Sequence, residues 1–325
     1  MSSTDSRLPQ LGEGLFLTDG GIETTLIFHR GLDLPDFAAF DLFERPGGEG
    51  ELEAYFRSYA DLARKHGTGL VLESATWRAN PDWGARLGYD SDRLERANLR
   101  AVALLERLRR EYAPTTGPIV VSGCVGPRGD GYVPANAMRV AEAEDYHAAQ
   151  ITTFGRAGVD LVDLVTAITM NYSAEAIGVA RAARRVGLPA VISFTVETDG
   201  QLPTGQPLAE AIDEVDRATD GYPAYYMVNC AHPTHFASRL DVGAAWARRI
   251  RGLRANASCR SHAELNEAPD LDIGDIDQLA RQHAALVTHL PWINVLGGCC
   301  GTDTRHVDAI ATSCAALYRR RVVAG

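Results

Sequence analysis

Short apolar runs alternate with amphipathic stretches about eight times along this chain, and that alternation constrains its fold more than any other feature. An apolar run followed by a helical pattern, repeated, is the signature of a parallel sheet whose strands are joined by crossover helices. The strand-like runs are 15–19, 69–75, 119–123, 161–166, 190–195, 225–230, 253–257 and 293–296. Helical patterns follow them at 51–66, 91–111, 142–157, 174–186, 208–219, 234–251, 276–290 and 304–320. In the fourth, Ile177, Val179, Ala180, Ala183 and Val186 recur at helical spacing, Gly187 stops the helix, and Pro189 leads into the next strand. Units of this kind without a strong linker predict an α/β fold, a single (β/α)8 TIM barrel, with a doubly wound open sheet as the alternative. The barrel domain is expected over 15–325, after an N-terminal extension of residues 1–14.

Composition narrows the function. At 325 residues and 46% hydrophobic, the chain buries a large core, and barrels routinely use this length for one domain. The net charge of −10 argues against a nucleic-acid partner. No apolar run reaches a membrane span, and Met1–Pro9 lacks the order of a secretory signal. The six cysteines lack even spacing, so a reducing, cytoplasmic compartment and small-molecule partners are expected. Lys65 is the only lysine, which removes phosphate-binding G-x-x-x-x-G-K-[ST] loops and leaves Schiff-base chemistry one candidate.

The most unusual local feature is Gly297-Gly298-Cys299-Cys300-Gly301. Adjacent side chains on a strand point to opposite faces, so two neighbouring thiols converge only across a turn, which the glycines permit. Buried packing and a vicinal disulfide are the other readings of the pair. Cys230 ends the strand-like run 225–230 in the same way. In a closed barrel, strand C-terminal ends meet at one mouth, so Cys230, Cys299 and Cys300 are candidate ligands of one Zn²⁺. The same mouth is expected to collect Asp19, Gly20, Gly21, Glu73, Thr76, Asp163, Thr166, Glu197, Asn229 and Asn256. Three thiolates make a site that suits a soft fourth ligand, such as a substrate thiol, better than water. Cys124, Cys259 and Cys314 are expected to be buried apolar residues. His147, His283 and His306 are expected on helix surfaces or between helices, and His232 beside the metal ligands.

These residues also carry a family likeness. Thr18-Asp19-Gly20-Gly21-Ile22-Glu23-Thr24 resembles the opening motif of the homocysteine S-methyltransferases, and Val228-Asn229-Cys230 with Gly297–Gly301 resembles their zinc motifs. The segment Ser193-Phe194-Thr195 with Asp199–Leu202 and Gly205 is similar to their fifth strand. The resemblance implies a (β/α)8 barrel, Zn²⁺ on Cys230, Cys299 and Cys300, and methylation of homocysteine to methionine. It implies a donor such as S-methylmethionine, S-adenosylmethionine, a betaine or a methylated folate. It places Asp19, Gly20 and Gly21 in the homocysteine site. Asn229 joins them as an expected substrate contact.

One departure stands out. The family often ends its fourth strand with a Glu-Thr pair whose glutamate holds the amino group of homocysteine, and here the expected acid position is Val165. Glu73 and Asp163 are the candidates to replace it. Trp77, Trp83 and Tyr132 are candidates for an aromatic wall that favours a sulfonium or ammonium donor. Two further expectations follow: the same transfer to another small thiol or selenol, or a non-catalytic zinc–thiolate redox sensor in which Cys299 and Cys300 oxidise.

Overall fold

The computed structural model describes residues 8–134, 137–158 and 161–324. Eight parallel strands, β1 to β8, close into a barrel in sequence order. They are β1 Phe16–Leu17, β2 Gly69–Glu73, β3 Ile119–Val125, β4 Leu164–Met170, β5 Ala190–Phe194, β6 Tyr225–Asn229, β7 Ile250–Ala255 and β8 Val295–Gly298. Phe16 pairs with both Gly69 and Val295, which closes the ring. The principal outer helices are α1 Gly48–His66, α2 Ser91–Tyr112, α3 Val140–Ala157, α4 Ser173–Val186, α5 Leu208–Thr219, α6 Ile276–His289 and α7 Thr304–Ala324. Among the described residues no helix is long and apolar enough to cross a membrane.

Two apolar layers hold the barrel. Outward-facing strand residues such as Leu17, Leu70, Val121, Val165, Ile192 and Leu253 pack beneath the helices. Inward-facing Phe16, Val71, Val120, Leu164, Val191, Tyr225 and Val295 fill the interior, the alternation expected of strands packed on both faces. Leu8 joins this inner layer and Gln10 is fully buried. Asn294 Nδ2 donates to the carbonyls of Gln10, Gly12 and Gly14 at 2.7–3.0 Å. The described part of the N-terminal extension thus forms part of the barrel floor, while residues 1–7 lie outside the described residues.

Two sequence expectations shift. The helical pattern 234–251 yields only a short helix, Pro233–Phe236, and brief 3-10 turns. Asp241 Oδ1 accepts the Gly243 amide at 2.8 Å, a local turn that competes with helix, and the end of the pattern belongs to β7. The fourth strand starts at Leu164 and runs to Met170. Asp163 therefore precedes the strand instead of facing the mouth. Its carboxylate takes the Val121 amide at 2.7 Å and the Arg109 guanidinium at 2.6 Å at the opposite end of the barrel.

Removing Asp163 strips the Val121 amide of its acceptor, while the Arg109 guanidinium keeps Glu106 beside it. Asp163→Ala is expected to cost roughly 1–3 kcal/mol of unfolding free energy in urea. The disposition of the cysteines at the mouth should stay unchanged, because the residue lies remote from it.

Candidate metal centre

The Sγ atoms of Cys230, Cys299 and Cys300 lie within 4.8 Å of one another at the mouth. Cys230 and Cys299 are joined as a disulfide, with Cα atoms 5.3 Å apart, and Cys300 Sγ lies 3.8 Å from Cys230 Sγ. The oxidised pair thus spans β6 and β8 and is not the adjacent pair Cys299–Cys300.

Local backbone geometry explains the convergence. Asn229 points into the barrel, so the next residue of a regular strand would point out. Cys230 instead adopts φ 51°, a left-handed conformation that non-glycine residues rarely take, and its thiol turns back to the mouth. Gly301, at φ 77°, completes the turn after β8. The opening motif packs tightly against that turn. A Cβ on Gly20 would lie 2.7 Å from Tyr59 Oη, and one on Gly21 would lie 2.6 Å from the Cys299 carbonyl oxygen.

Asn229 serves this geometry through hydrogen bonds within the protein. Its Oδ1 accepts from Ser193 Oγ at 2.6 Å and the Thr169 amide at 3.0 Å. Its Nδ2 donates to Thr169 Oγ1 at 2.8 Å and toward Cys299 Sγ at 3.9 Å. That uses all four hydrogen-bonding positions of the amide. Thr169 is itself left-handed, at φ 65°, so Asn229 ties this residue of β4 to the end of β6 that leads into Cys230.

Beneath the sulfurs lies a charged layer. Arg254 Nη2 donates to Asp19 Oδ1 at 2.5 Å and its Nε to the Gly298 carbonyl at 3.2 Å. Tyr55 Oη donates to Asp19 Oδ2 and the Gly20 carbonyl, both at 3.0 Å. Glu73 sits 3.9 Å from Arg254 Nη1 and accepts from Ser122 Oγ at 3.4 Å. Burial pushes the Asp19 carboxyl up against the pull of Arg254. Burial likewise pushes Glu73 up to about 7, with Arg254 opposing and Asp19 adding to the rise. Glu73, Asp19, Gly20, Gly21 and the three cysteines all line one cavity, together with Glu23, Trp77, Cys124, Ile168 and Arg254.

Several expected residues stand elsewhere. Val165 is buried in the outer core, and the residues that β4 delivers to its mouth end are Ile168 and Thr169. The pair to compare with the Glu-Thr of the family is therefore Ile168-Thr169, and its first member is still not an acid. His232 caps the helix 233–236 through Thr234, and burial holds it down to about 4. The histidine next to the ligands is His262. Its Nε2 donates to the Cys230 carbonyl at 2.5 Å, its Nδ1 meets Glu197 at 3.0 Å, and its ring lies 4.1 Å from that of Tyr132. Tyr132 Oη in turn lies 3.7 Å from Cys300 Sγ. The Arg78 guanidinium lies 4.0 Å from the Trp77 ring and 3.7 Å from the Trp83 ring, so those faces are taken by the protein's own cation. His147, His283 and His306 are buried, and Cys259 is exposed, while Cys124 and Cys314 are buried as expected. Arg254 and Glu23 were legible only in part. Arg254 is the one charge of the run 253–257, with the inward parity of Asn256, and Glu23 lies two residues beyond Asp-Gly-Gly.

Two measurements check this geometry. Thiol titration of the denatured, oxidised protein should give four free thiols, Cys124, Cys259, Cys300 and Cys314, rising to six after reduction. The second concerns Glu73. Its folded pKa stands above the value of 4.5 for a free side chain, so between about 4.5 and 7 the native state binds more protons than the unfolded one. Its contribution to stability therefore falls as pH rises through that window and stays low above it. Glu73→Gln should flatten the loss of unfolding free energy between pH 5 and pH 8 by roughly 1–3 kcal/mol in urea titrations.

Comparison with known proteins places this site in context. The model of the homocysteine S-methyltransferase family matches residues 16–314. Two solved structures of the homocysteine methyltransferase MmuM from Escherichia coli share the fold. The oxidized form has a TM-score of 0.73 at 22% identity, covering 96% of this chain and 99% of that one. The metallated form has a TM-score of 0.72 at 20% identity, covering 95% and 99%. A comparison with curated proteins finds no match. With the family model spanning nearly the whole barrel and its motifs meeting at one mouth, this chain belongs to the homocysteine S-methyltransferase family and is a methyltransferase.

Proposed function

We propose that the protein moves a methyl group from a cationic donor to the thiol of homocysteine, giving methionine, with Zn²⁺ held by Cys230, Cys299 and Cys300. The observation that carries this reading is the convergence of the three Sγ atoms within 4.8 Å at the mouth of a barrel of this family. The donor set fits the ion. Zinc–sulfur bonds of about 2.3 Å in a tetrahedron separate the sulfurs by about 3.8 Å, and Cys230 and Cys300 stand 3.8 Å apart. Cys299 completes the set once its disulfide is reduced. When bound, zinc supplies Lewis acidity that presents the substrate sulfur as a thiolate at neutral pH.

The chain's own residues prepare the rest. In the metal-free protein burial pushes the Cys300 thiol up to about 11 despite the Tyr132 hydroxyl beside it. Metal binding and loss of that proton are therefore linked. Tyr132 Oη at 3.7 Å from Cys300 and Asn229 Nδ2 at 3.9 Å from Cys299 set donors against sulfur and orient those ligands. Asp19, Gly20, Gly21 and Glu73 form the wall on which the acceptor rests. In the transfer the acceptor sulfur attacks the methyl carbon, the bond to the donor's sulfur or nitrogen breaks, and its electron pair stays with the departing donor. A cationic donor leaves neutral, so opposite charges cancel in the transition state, which a buried site favours.

S-methylmethionine and S-adenosylmethionine are the favoured donors. The support is electrostatic: the cavity is lined by Asp19, Glu23 and Glu73 against Arg254, and thiolates add to that negative balance. The whole barrel, 15–325, is the catalytic unit in this proposal, and a reducing cytoplasm is its setting because all three thiols must be free together. A second reading, the same transfer to another small thiol or selenol, is favoured by one observation, the apolar Ile168 at the mouth end of β4.

Reduced protein is expected to retain close to one zinc per chain and to form methionine from homocysteine with a sulfonium donor. Cys230→Ala, Cys299→Ala and Cys300→Ala should each lose zinc and at least 100-fold in rate, while Cys259→Ser and Cys314→Ala keep both. Metal analysis and isotope-labelled methyl transfer check this. Full activity of Cys299→Ala would overturn the ligand set, and turnover with methylfolate alone would overturn the donor.

A further inference from the structure

Three carboxylates line the cavity that holds the cysteines: Asp19, Glu73 and Glu23. Two are engaged by the protein. Asp19 is bound by Arg254 and Tyr55, and Glu73 is flanked by Arg254 and Ser122. Glu23, in the short helix Ile22–Thr24 that follows Gly21, has no ion pair within 4.0 Å and no side-chain hydrogen bond among the described residues. Its carboxylate is bonded only to its own backbone. Of the two nearest cations it senses, Arg254 is engaged by another carboxylate, and Arg78 makes no ion pair within 4.0 Å among the described residues and keeps an unpartnered Nε. Arg78 is held between Trp77 and Trp83 and donates to the Gly129 carbonyl at 3.0 Å, and Arg254 is committed to Asp19.

The ligand side sets the complementary requirement. An α-amino-acid thiol brings an ammonium into the cavity, and a buried ammonium needs a counter-charge that is not already neutralised. The end of β4 offers Ile168, which cannot supply one. We propose that Glu23 is the specificity-determining residue that holds the ammonium of the acceptor. This rests on the amino-acid acceptor proposed above. Glu23 follows directly from the segment that packs on the Cys299 turn, with the Gly21 amide donating to the Thr302 carbonyl at 3.0 Å. Its carboxylate is therefore carried on the same rigid unit as two of the sulfurs, which keeps the distance from ammonium to thiol constant.

The test compares homocysteine with 4-mercaptobutanoate, the same thiol without its amino group, under a non-thiol reductant. Binding to zinc-loaded protein is read by calorimetry, and turnover is read in parallel. Wild type is expected to bind homocysteine at least 30-fold more tightly than 4-mercaptobutanoate. Glu23→Gln, of the same size, should erase that preference by weakening homocysteine alone, and Glu23→Asp should give an intermediate loss. Unchanged binding of 4-mercaptobutanoate by Glu23→Gln shows that the variant is folded. A wild type without preference, or a Glu23→Gln variant that keeps it, overturns the assignment. A preference that depends on Glu23 without methyl transfer to either thiol leaves Glu23 in place and overturns the methyl-transfer reading instead.

Discussion

Pairing of β1 with β8 is the constraint on which the rest of the site depends. The first and last strands are separated by nearly the whole chain, yet Phe16 and Leu17 lie in register with Val295 and Leu296. That register sets Asp19-Gly20-Gly21 against the turn of Cys299 and Cys300, and places β7 with its Arg254 beside them. Gly298 donates its amide to the Asp19 carbonyl at 2.9 Å, and Cys299 donates to the Ala255 carbonyl at 2.8 Å. A one-residue slip would turn the inward residues of β8 outward and separate the thiols. The glycines at 20, 21, 297 and 298 follow from this closeness, since added Cβ atoms there would overlap neighbouring groups.

The charged layer under the mouth is a second consequence. A buried guanidinium is tolerable only with compensation, and Asp19 after β1 and Glu73 at the end of β2 supply it to Arg254 of β7 from across the closure. Such a layer fixes the opening motif electrostatically as well as sterically. It also leaves the carboxylates with different environments. Glu73 shares its cation with Asp19, whereas Asp19 has a short bond to that cation and a tyrosine hydroxyl.

The barrel was legible because strand and helix patterns alternate with regular spacing, and the cysteine cluster because barrel closure turns distant strand ends into neighbours. What remained hidden has specific causes. From Leu161 to Met170 seven of ten residues are apolar and the polar ones, Asp163, Thr166 and Thr169, recur every third position, so the pattern does not mark where β4 begins; hence the sequence alone puts Asp163 and Val165 at the mouth. A strand buried on both faces carries no alternation to set its bounds. The stretch 234–251 has helical composition, but the Asp241–Gly243 turn and the start of β7 divide it. His262 could not have been found by spacing from Cys230, because it reaches the Cys230 carbonyl from the start of the short helix His262–Asn266 after β7, 32 residues away. Trp77 and Tyr132 line the mouth cavity, whereas Trp83 does not. Their partners were not foreseeable, since Arg78 neighbours Trp77 in sequence but meets Trp83 only after the loop folds.

The Cys230–Cys299 disulfide has a consequence for handling the protein. It closes a loop with a sequence separation of 69, and the chain-entropy model assigns a cross-link of that span roughly 4 kcal/mol of stabilisation. The oxidised, metal-free chain thus resists unfolding better than the reduced, metal-free one, although it has consumed two of the three clustered thiols. Resistance to heat and competence to bind metal therefore run in opposite directions when metal is scarce. A purification or screen that ranks preparations by melting temperature would enrich the form least able to take up an ion.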